Sequence, residues 1–228
     1  GEEKLKDLEI DKENIVKDLY ENAKLLSLAR KEVANNLSKK IEKELNELGM
    51  KDAKFVAKFN QFPIFNEALD VSANGLDEME FMFSANKGQP ERELTKIISG
   101  GELSRFTLAL KNTIANLDGI NTMIFDEIDS GISGHIAQVV AEKLYSISKD
   151  KQVLAITHLP QLAAMADVNY LIEKSSDDVT TKTSLKVLAD ASLVNEIIRL
   201  IGGKTSDVYA KPHAIEMISN AKKIKEYI

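Results

Sequence analysis

The stretch from Glu2 to Leu48 constrains the fold most strongly, because it contains neither glycine nor proline. Apolar or small residues recur along it in steps that alternate between three and four, which is the period of a helix that pairs with another helix. These residues are Leu5, Leu8, Ile15, Leu19, Leu26, Ala29 and Val33, with Lys12 and Asn22 at two further positions of the same seam. The pattern predicts a helix of about 70 Å that forms one arm of a coiled coil and stops at Gly49.

Beyond Val33 the apolar stripe continues in steps that are mostly of four, at Leu37, Ile41, Leu45 and Leu48. Such a change of period indicates the place where a coiled coil meets a globular body. An ordinary amphipathic surface helix is the alternative, although helices of that kind rarely run this long. We therefore expect two parts, a coiled-coil arm over residues 1–49 and a globular part over residues 50–228.

The globular part alternates between patterns typical of strands and of helices, and it begins with two strands and a polar loop. The predicted strands are Lys54–Phe59, Met79–Ala85, Thr122–Phe125, Gln152–Thr157 and Val168–Glu173, with an antiparallel edge strand at Lys182–Leu188 after a turn at Ser175–Val179. The predicted helices are Glu102–Leu117, Ile136–Ile147, Leu193–Ile201 and Pro212–Ile224, and the predicted loop is Ser84–Lys96. Continuous apolar strands between helices predict the α/β class, with a mainly parallel sheet and flanking helices.

Composition excludes several classes of function. No apolar run approaches the roughly 18 residues of a membrane span, and the charged start Gly1–Lys4 does not resemble a signal peptide. Cysteine is absent, which excludes disulfides and thiol catalysis and fits a cytoplasmic protein. The formal net charge is −6, so bulk charge gives no support to a nucleic-acid partner.

A pair of glycines precedes the first helix of the globular part. Ser99 lies three residues before Glu102, which is the spacing of a capping box and explains those two residues without any ligand. A capping box does not require Gly100 and Gly101 between them. Two glycines let the backbone approach a ligand closely at the positive end of the helix, so the sequence predicts an anion site suited to a phosphate.

Polar residues follow two of the predicted parallel strands. Asp126 and Glu127 come directly after Thr122–Phe125, and His158 follows the apolar run Val153–Ile156. In open α/β sheets, ligands bind at the carboxyl edge of the strands. A carboxylate there can hold Mg²⁺ through water, a second can activate a water molecule, and an imidazole can bond a terminal phosphate. Taken alone, the acids also fit an acidic surface turn and the histidine a loop position.

Gly203-Lys204-Thr205 resembles the end of a phosphate-binding loop. That motif requires glycine five residues before Gly203, where this chain has Ile198, and it requires a preceding strand where this chain predicts a helix. We therefore interpret the two glycines as a helix stop. No Walker A motif occurs elsewhere in the sequence.

Four short segments together resemble those of ABC-type ATPases. Ile98–Arg105 (ISGGELSR) is similar to the signature motif, Thr122–Glu127 to a Walker B strand, Asp129–Gly134 (DSGISG) to a D-loop, and Thr157–Gln161 (THLPQ) to a switch-histidine loop. The residue sequences of these segments are most similar to those of the RecN group of bacterial DNA-repair ATPases, which are relatives of the SMC proteins. The resemblance extends over essentially the whole chain and includes the end of the long helix.

The resemblance implies an ATP-sandwich dimer of two heads. Asp126 would assist Mg²⁺, and Glu127 and His158 would be catalytic on the nucleotide of their own head. Ser99, Gly100, Gly101 and Glu102 would cover the ATP of the other head, and Asp129, Ser130 and Gly131 would couple the two sites. Arg105 has two open interpretations, orienting the phosphate end or lying on the surface. The implied partners are an upstream Walker A lobe, a second identical head and DNA, in a nucleoid-associated protein without a membrane role.

Because Walker A is missing from the sequence, we expect this chain to be a C-terminal fragment that neither binds nor hydrolyses ATP by itself. A different class of function stays open, a coiled-coil interaction module whose nucleotide motifs are relics. It predicts that Gly101→Asp leaves function intact, whereas a phosphate site predicts a loss. A head fragment from another SMC-type ATPase would keep the same chemistry.

Overall fold

A computed structural model describes residues 2–66, 68–96, 99–114, 119–176, 181–204 and 208–228. The chain divides into two compact units. The first comprises residues 1–46 and 50–97, and the second comprises residues 47–49 and 98–228.

A single long helix, α1 (Glu2–Glu47), leads into the first unit. It ends as the sequence predicts, and the N–H of Met50 donates to the carbonyl oxygen of Leu45 at 2.9 Å just after the last turn. Three antiparallel strands follow in the order β1 (Lys54–Phe59), β2 (Met79–Ser84) and β3 (Arg92–Glu93), and a short 3₁₀ turn covers Leu94–Lys96. The last two elements lie where a loop was predicted; β3 pairs through Met82↔Glu93 and Phe83↔Arg92, a contact that local composition does not reveal.

The apolar stripe of α1 is exposed in its first part and buried at its end. Leu5, Leu8 and Ile15 are between 58% and 62% exposed, whereas Ile41 and Leu45 are fully buried. Leu5, Leu8 and Ile15 belong to the predicted coiled-coil seam, but Ile10, Leu25 and Leu28, which lie outside it, are exposed to a similar degree, between 56% and 64%. The predicted change of period therefore coincides with a change in burial.

A second face of α1 packs against the segment before β2, which the sequence analysis did not foresee. The Tyr20 ring contacts the rings of Phe62 and Phe65 at 5.7 and 5.2 Å, and its hydroxyl donates to the carbonyl oxygen of Pro63. Further along, Arg30 pairs with Asp77 at 3.3 Å beside a cavity of about 610 Å³. Ala29 and Val33 of the predicted seam also line this cavity, so the last part of the seam belongs to the face that packs within the first unit.

The second unit alternates helices and strands, in agreement with the predicted α/β class. Its elements are α2 (Gly100–Ile114), β4 (Thr122–Phe125), α3 (Gly134–Ser148), β5 (Gln152–Ala155), α4 (Pro160–Met165), β6 (Asn169–Ser176), β7 (Thr181–Leu188), α5 (Asp190–Leu200) and α6 (Ala210–Tyr227). Its core is built from apolar side chains that are at most 1% exposed, among them Leu108, Ile128, Val140, Ile197 and Ile198. The end of the first predicted helix at Leu117 and most of the predicted turn at Ser175–Val179 lie outside the described residues.

Strand pairing in this unit differs from the predicted single sheet. β4 and β5 pair in parallel, as predicted, from Thr122↔Gln152 to Phe125↔Ala155. The predicted strand Val168–Glu173, which corresponds to β6, pairs antiparallel with β7 and not with β5. The described strands of this unit therefore form two separate two-stranded sheets. The sequence analysis also missed α4, because Pro160 begins a helix of six residues, too short for a periodic pattern. Among the described helices, none is both long and apolar enough to cross a membrane.

Candidate functional site

The acid turn, which we define as residues 126–130, follows β4 directly. Within β4 the side chains of Met123 and Phe125 are buried, and the carboxylates of Asp126 and Glu127 emerge into solvent at the carboxyl end of the strand. The turn is closed by a hydrogen bond from the N–H of Ser130 to the carbonyl oxygen of Glu127 at 3.0 Å. The structure therefore places both predicted acids at the sheet edge where ligands bind in α/β proteins.

Glu127 adopts a left-handed backbone conformation, with φ of 57°. A residue with a Cβ atom costs about 1–2 kcal/mol in this region, and asparagine tolerates it better than glutamate does. Strain of this kind persists only where the surrounding structure imposes it, and it is common at functional sites. The acid turn thus holds Glu127 at the expense of stability.

We compare two variants of the same residue, Glu127→Asn and Glu127→Gln. The Asn variant should have a free energy of unfolding about 0.5–1 kcal/mol higher than the Gln variant. Both substitutions remove the charge, but only Asn relieves the left-handed strain. The measurement is the urea midpoint of each variant of this chain. Equal midpoints for the two variants would show that the backbone at this position is unstrained.

His158 lies at the same edge of the sheet as the acid turn. The parallel pairing of β4 and β5 continues one residue past the strand, with the N–H of Ile156 donating to the carbonyl oxygen of Phe125 at 3.0 Å. Thr157 and His158 therefore leave β5 level with the turn that leaves β4. The side chain of His158 is 72% exposed.

Asp129 joins the two loops. It is 3% exposed, and its Oδ2 atom accepts hydrogen bonds from the Thr157 hydroxyl at 2.5 Å and from the His158 N–H at 2.8 Å. The same oxygen lies 3.1 Å from Nδ1 of His158. The Thr157 hydroxyl in turn accepts a bond from the N–H of Leu159 at 3.0 Å. One buried carboxylate therefore fixes the loop that carries the histidine.

The glycine pair opens α2 and packs against the acid turn. A Cβ atom at Gly100 would overlap the Glu127 carboxylate, and one at Gly101 would lie 3.0 Å from Cβ of Ser130 and 3.1 Å from the carbonyl oxygen of Glu127. Close approach to the chain's own turn therefore favours glycine at 101, where the neighbouring atoms belong to the backbone and to a Cβ, whereas at 100 the flexible Glu127 side chain could move aside. The preceding Ile98 lies outside the described residues.

Ser99 and Glu102 form only part of the predicted capping box. The N–H of Glu102 lies 3.5 Å from Oγ of Ser99, at the limit of a hydrogen bond, while the Ser99 carbonyl accepts from Leu103 at 3.0 Å. Within the described residues no bond returns from the Glu102 carboxylate to the Ser99 N–H. Ser99 thus begins the helix with its hydroxyl free to take a further partner.

Arg105 is buried, which contradicts its interpretation as a surface arginine. It is 8% exposed, and its Nη1 donates to the carbonyl oxygen of Ser130 at 2.7 Å, while its Nε finds no partner among the described residues. Burial lowers the pKa of the guanidinium from its ordinary value, and the nearby Glu102 carboxylate offsets part of that shift. One residue earlier, the Ser104 hydroxyl donates to the carbonyl oxygen of Asp126 at 2.7 Å. Helix α2 therefore holds both ends of the acid turn.

Replacing Arg105 with Ala should lower the free energy of unfolding by about 1–3 kcal/mol, because the Ser130 carbonyl loses its partner and the apolar stem loses its packing. Arg105→Met should cost less, since it keeps the stem. Lys186→Ala provides the control, because Lys186 pairs with Glu173 between two well-exposed side chains and such pairs contribute little. If the urea midpoint of Arg105→Ala falls no further than that of the control, the bond from Arg105 to the acid turn does not contribute to stability.

Gly202 and Gly203 stop helix α5, as the sequence predicts. Gly202 has φ of 79° and donates to the carbonyl oxygen of Arg199, and Gly203 donates to that of Ile198 at 2.9 Å. These two bonds are those of a Schellman motif. The resemblance of this segment to a phosphate-binding loop is therefore incidental, although Thr205 lies outside the described residues.

The donor set of the acid turn fits a magnesium ion that is held partly by water and nucleotide. Asp126 and Glu127 supply hard carboxylate oxygens, the ligand type that Mg²⁺ prefers. Within the described residues no group of three or more His, Cys, Asp or Glu side chains converges on one point. The protein alone would thus supply only part of the coordination shell.

Sequence reasoning missed two side chains that organise this site, the hydroxyls of Ser104 and Thr157. Each lies within a motif that the sequence analysis noted, but each acts through a bond to a residue more than 20 positions away. No local pattern of residue types signals such a bond, because it depends on how the helices and strands pack.

No family model matches the chain. DNA repair protein RecN of Halalkalibacterium halodurans is 39% identical to it over 98% of the chain and 39% of that protein. RecN of Bacillus subtilis is 37% identical over 97% of the chain and 40% of that protein. The chain therefore spans about two fifths of the length of these curated relatives.

A solved Smc head domain with a coiled coil and joint, derived from Pyrococcus yayanosii, aligns with 87% of this chain and 35% of its own. The TM-score is 0.54 and the sequence identity is 18%. At this identity the similarity concerns the fold alone.

Proposed function

We propose that this chain, a homologue of the RecN proteins over nearly its whole length, supplies one half of an ATP-hydrolysing site. The observation that carries the proposal is the convergence of the acid turn and His158 at the carboxyl edge of β4 and β5, joined by Asp129. This is the arrangement that phosphoryl transfer to water requires, with a base for the water and a group to contact the terminal phosphate.

Each polar residue has a role that follows from its position. Glu127, exposed beside the glycine pair, orients the attacking water and accepts its proton. Asp126 would hold Mg²⁺, and the ion would neutralise phosphate charge when bound. His158, exposed at the end of β5, contacts the terminal phosphate. All three act on nucleotide bound to the same head.

A second surface of the chain serves the nucleotide of a second, identical head. Ser99 and Gly100 are exposed at the positive end of α2, where a phosphate is favoured. Ser130 and Gly131 are exposed in the D-loop, so their backbone is accessible to a second copy. Gly101 is buried and Glu102 is half-buried next to these exposed residues, so both support this surface. Asp129 couples the heads through the loop after β5, which it holds in place.

The β4–β5 pair supports the proposal of a partner lobe that carries Walker A. Ile124 is 69% exposed, Ile156 56% and Leu154 43%, so nothing in the described part of the chain covers this face of the apolar strands. Apolar strands of a parallel sheet are normally covered on both faces. We propose that the upstream lobe of the longer protein covers them, with residues 1–49 serving as the returning arm of the coiled coil and residues 50–228 as the lobe described here.

The wider biology follows the relatives. The curated relatives are DNA repair proteins, and we propose that the complete protein acts in DNA double-strand-break repair, with DNA as a partner and the nucleoid as its location. The sequence contains no Gly-x4-Gly-Lys-Ser/Thr motif. We therefore propose that this chain hydrolyses ATP only when a Walker A lobe is supplied.

Reconstitution tests the proposal. The chain is mixed with a Walker A lobe from the upstream part of the same protein, and phosphate release from Mg-ATP is measured for each component and for the mixture. The expected result is activity in the mixture alone. A mixture that forms a stable complex but stays inactive, while α1 still pairs with the upstream arm, would favour the interaction-module alternative.

A further inference from the structure

We propose that Asp129 is a positioning residue for His158: its buried carboxylate holds Nδ1 of the imidazole and so directs Nε2 toward the nucleotide phosphate. The role of His158 at a phosphate rests on the proposed function. The contact between Asp129 and His158 stands on the structure by itself. This assigns Asp129 an action within its own chain, in addition to the coupling between heads proposed above.

The geometry favours one orientation of the ring. Oδ2 of Asp129 lies 3.1 Å from Nδ1 of His158 and 2.8 Å from the N–H of the same residue. The carboxylate therefore accepts a hydrogen bond from the backbone of His158 and lies within ion-pair distance of its ring. The side chain of Asp129 is 4% exposed, whereas that of His158 is 72% exposed. Nε2 is separated from Nδ1 by one ring carbon and points away from the Asp129 carboxylate, on a side chain that is mostly exposed.

The contact also selects the protonation state of each ring nitrogen. An ionised carboxylate can only accept hydrogen bonds, so the nitrogen that faces it must carry a proton. In the neutral ring, Nδ1 is then the donor and Nε2 keeps a lone pair that can accept from water. When the ring is doubly protonated, Nε2 donates to a phosphate oxygen while the Asp129 carboxylate balances the added charge.

Thr157 completes the support of Asp129. Its hydroxyl donates to Oδ2 of Asp129 at 2.5 Å and accepts from the N–H of Leu159 at 3.0 Å. The loop after β5 is thereby tied to the acid turn on both sides of His158. Because Asp129 belongs to the acid turn that also carries Glu127, one residue holds the base and the phosphate contact in a fixed relation.

Nuclear magnetic resonance of this chain tests the protonation pattern directly. Long-range ¹H–¹⁵N spectra of the ¹⁵N-labelled protein report which ring nitrogen of His158 carries the proton, and the signals are assigned with His158→Gln. We expect neutral His158 to carry its proton on Nδ1, and Asp129→Ala to move it to Nε2. Asp52→Asn, which removes an exposed carboxylate elsewhere, should leave the spectrum unchanged. A proton on Nε2 in the unsubstituted chain would overturn the proposal without any variant.

A double-mutant cycle in the reconstituted ATPase tests the consequence for catalysis. Asp129→Ala should lower kcat by about 10- to 100-fold, by analogy with the carboxylates that orient metal-bound histidines. In a His158→Ala background, the same substitution should have almost no further effect. Fully additive losses would show that Asp129 does not act through His158 and would overturn the proposal. If the reconstituted head is inactive, the proposed function fails while the spectra still decide the role of Asp129.

Discussion

Substituting Gln for Glu127 is expected to reduce ATP hydrolysis by the reconstituted head about 10²- to 10⁴-fold, the usual contribution of a positioned general base. Gln keeps the size of the side chain and can still hydrogen-bond water, but it cannot accept a proton. The backbone strain at φ of 57° is the same for both residues, so the fold should be unaffected. Phosphate release at saturating Mg-ATP gives the measurement.

Glu91→Gln is a matched control, because Glu91 is exposed and lies far along the chain from the acid turn. It should leave the rate unchanged. ATP-dependent association of two heads should survive in Glu127→Gln, since binding does not require the base. Retention of the full hydrolysis rate would remove Glu127 from its proposed role and leave the base to be sought elsewhere.

The second large effect is expected for Gly101→Asp, which should lower the free energy of unfolding by about 1–3 kcal/mol even without nucleotide. The new Cβ atom would lie 3.0 Å from Cβ of Ser130 and 3.1 Å from the carbonyl oxygen of Glu127, and neither atom can move freely. The added carboxylate would also bring a third negative charge to the acid turn, which already carries Asp126 and Glu127. Urea denaturation of this chain measures the loss.

Ser133→Asp is the control for an acid added at a helix start. Ser133 is the exposed N-cap of α3 and makes no side-chain capping bond, so Asp should be neutral or mildly stabilising there. An undiminished midpoint for Gly101→Asp would contradict the packing described here. Because Gly101→Asp is expected to destabilise the fold, a loss of function in this variant would not distinguish a phosphate site from an interaction module with relic nucleotide motifs. Glu127→Gln separates the two hypotheses, because it spares the packing.

The fold class, the long helix and most element boundaries could be predicted, because each depends on hydrophobic periodicity or on local turn and helix-stop residues. The strand Thr122–Phe125 was predicted at its observed bounds, since four apolar residues end abruptly at Asp126 and Glu127. The short elements β3 and α4 could not be predicted. A strand of two residues exists only through its pairing with β2, and a helix of six residues is too short to show a period.

The sequence by itself determined where the candidate residues lie: Asp126, Glu127 and His158 follow apolar strands, and parallel strands bring their carboxyl ends to one edge. It also determined that Gly202 and Gly203 end a helix, because that motif is local. Only the tertiary structure decided that Asp129 is buried and bound to Thr157 and His158, and that Arg105 supports the acid turn. Those bonds join segments 25 to 29 residues apart. Their formation depends on packing geometry, which no local pattern of residue types encodes.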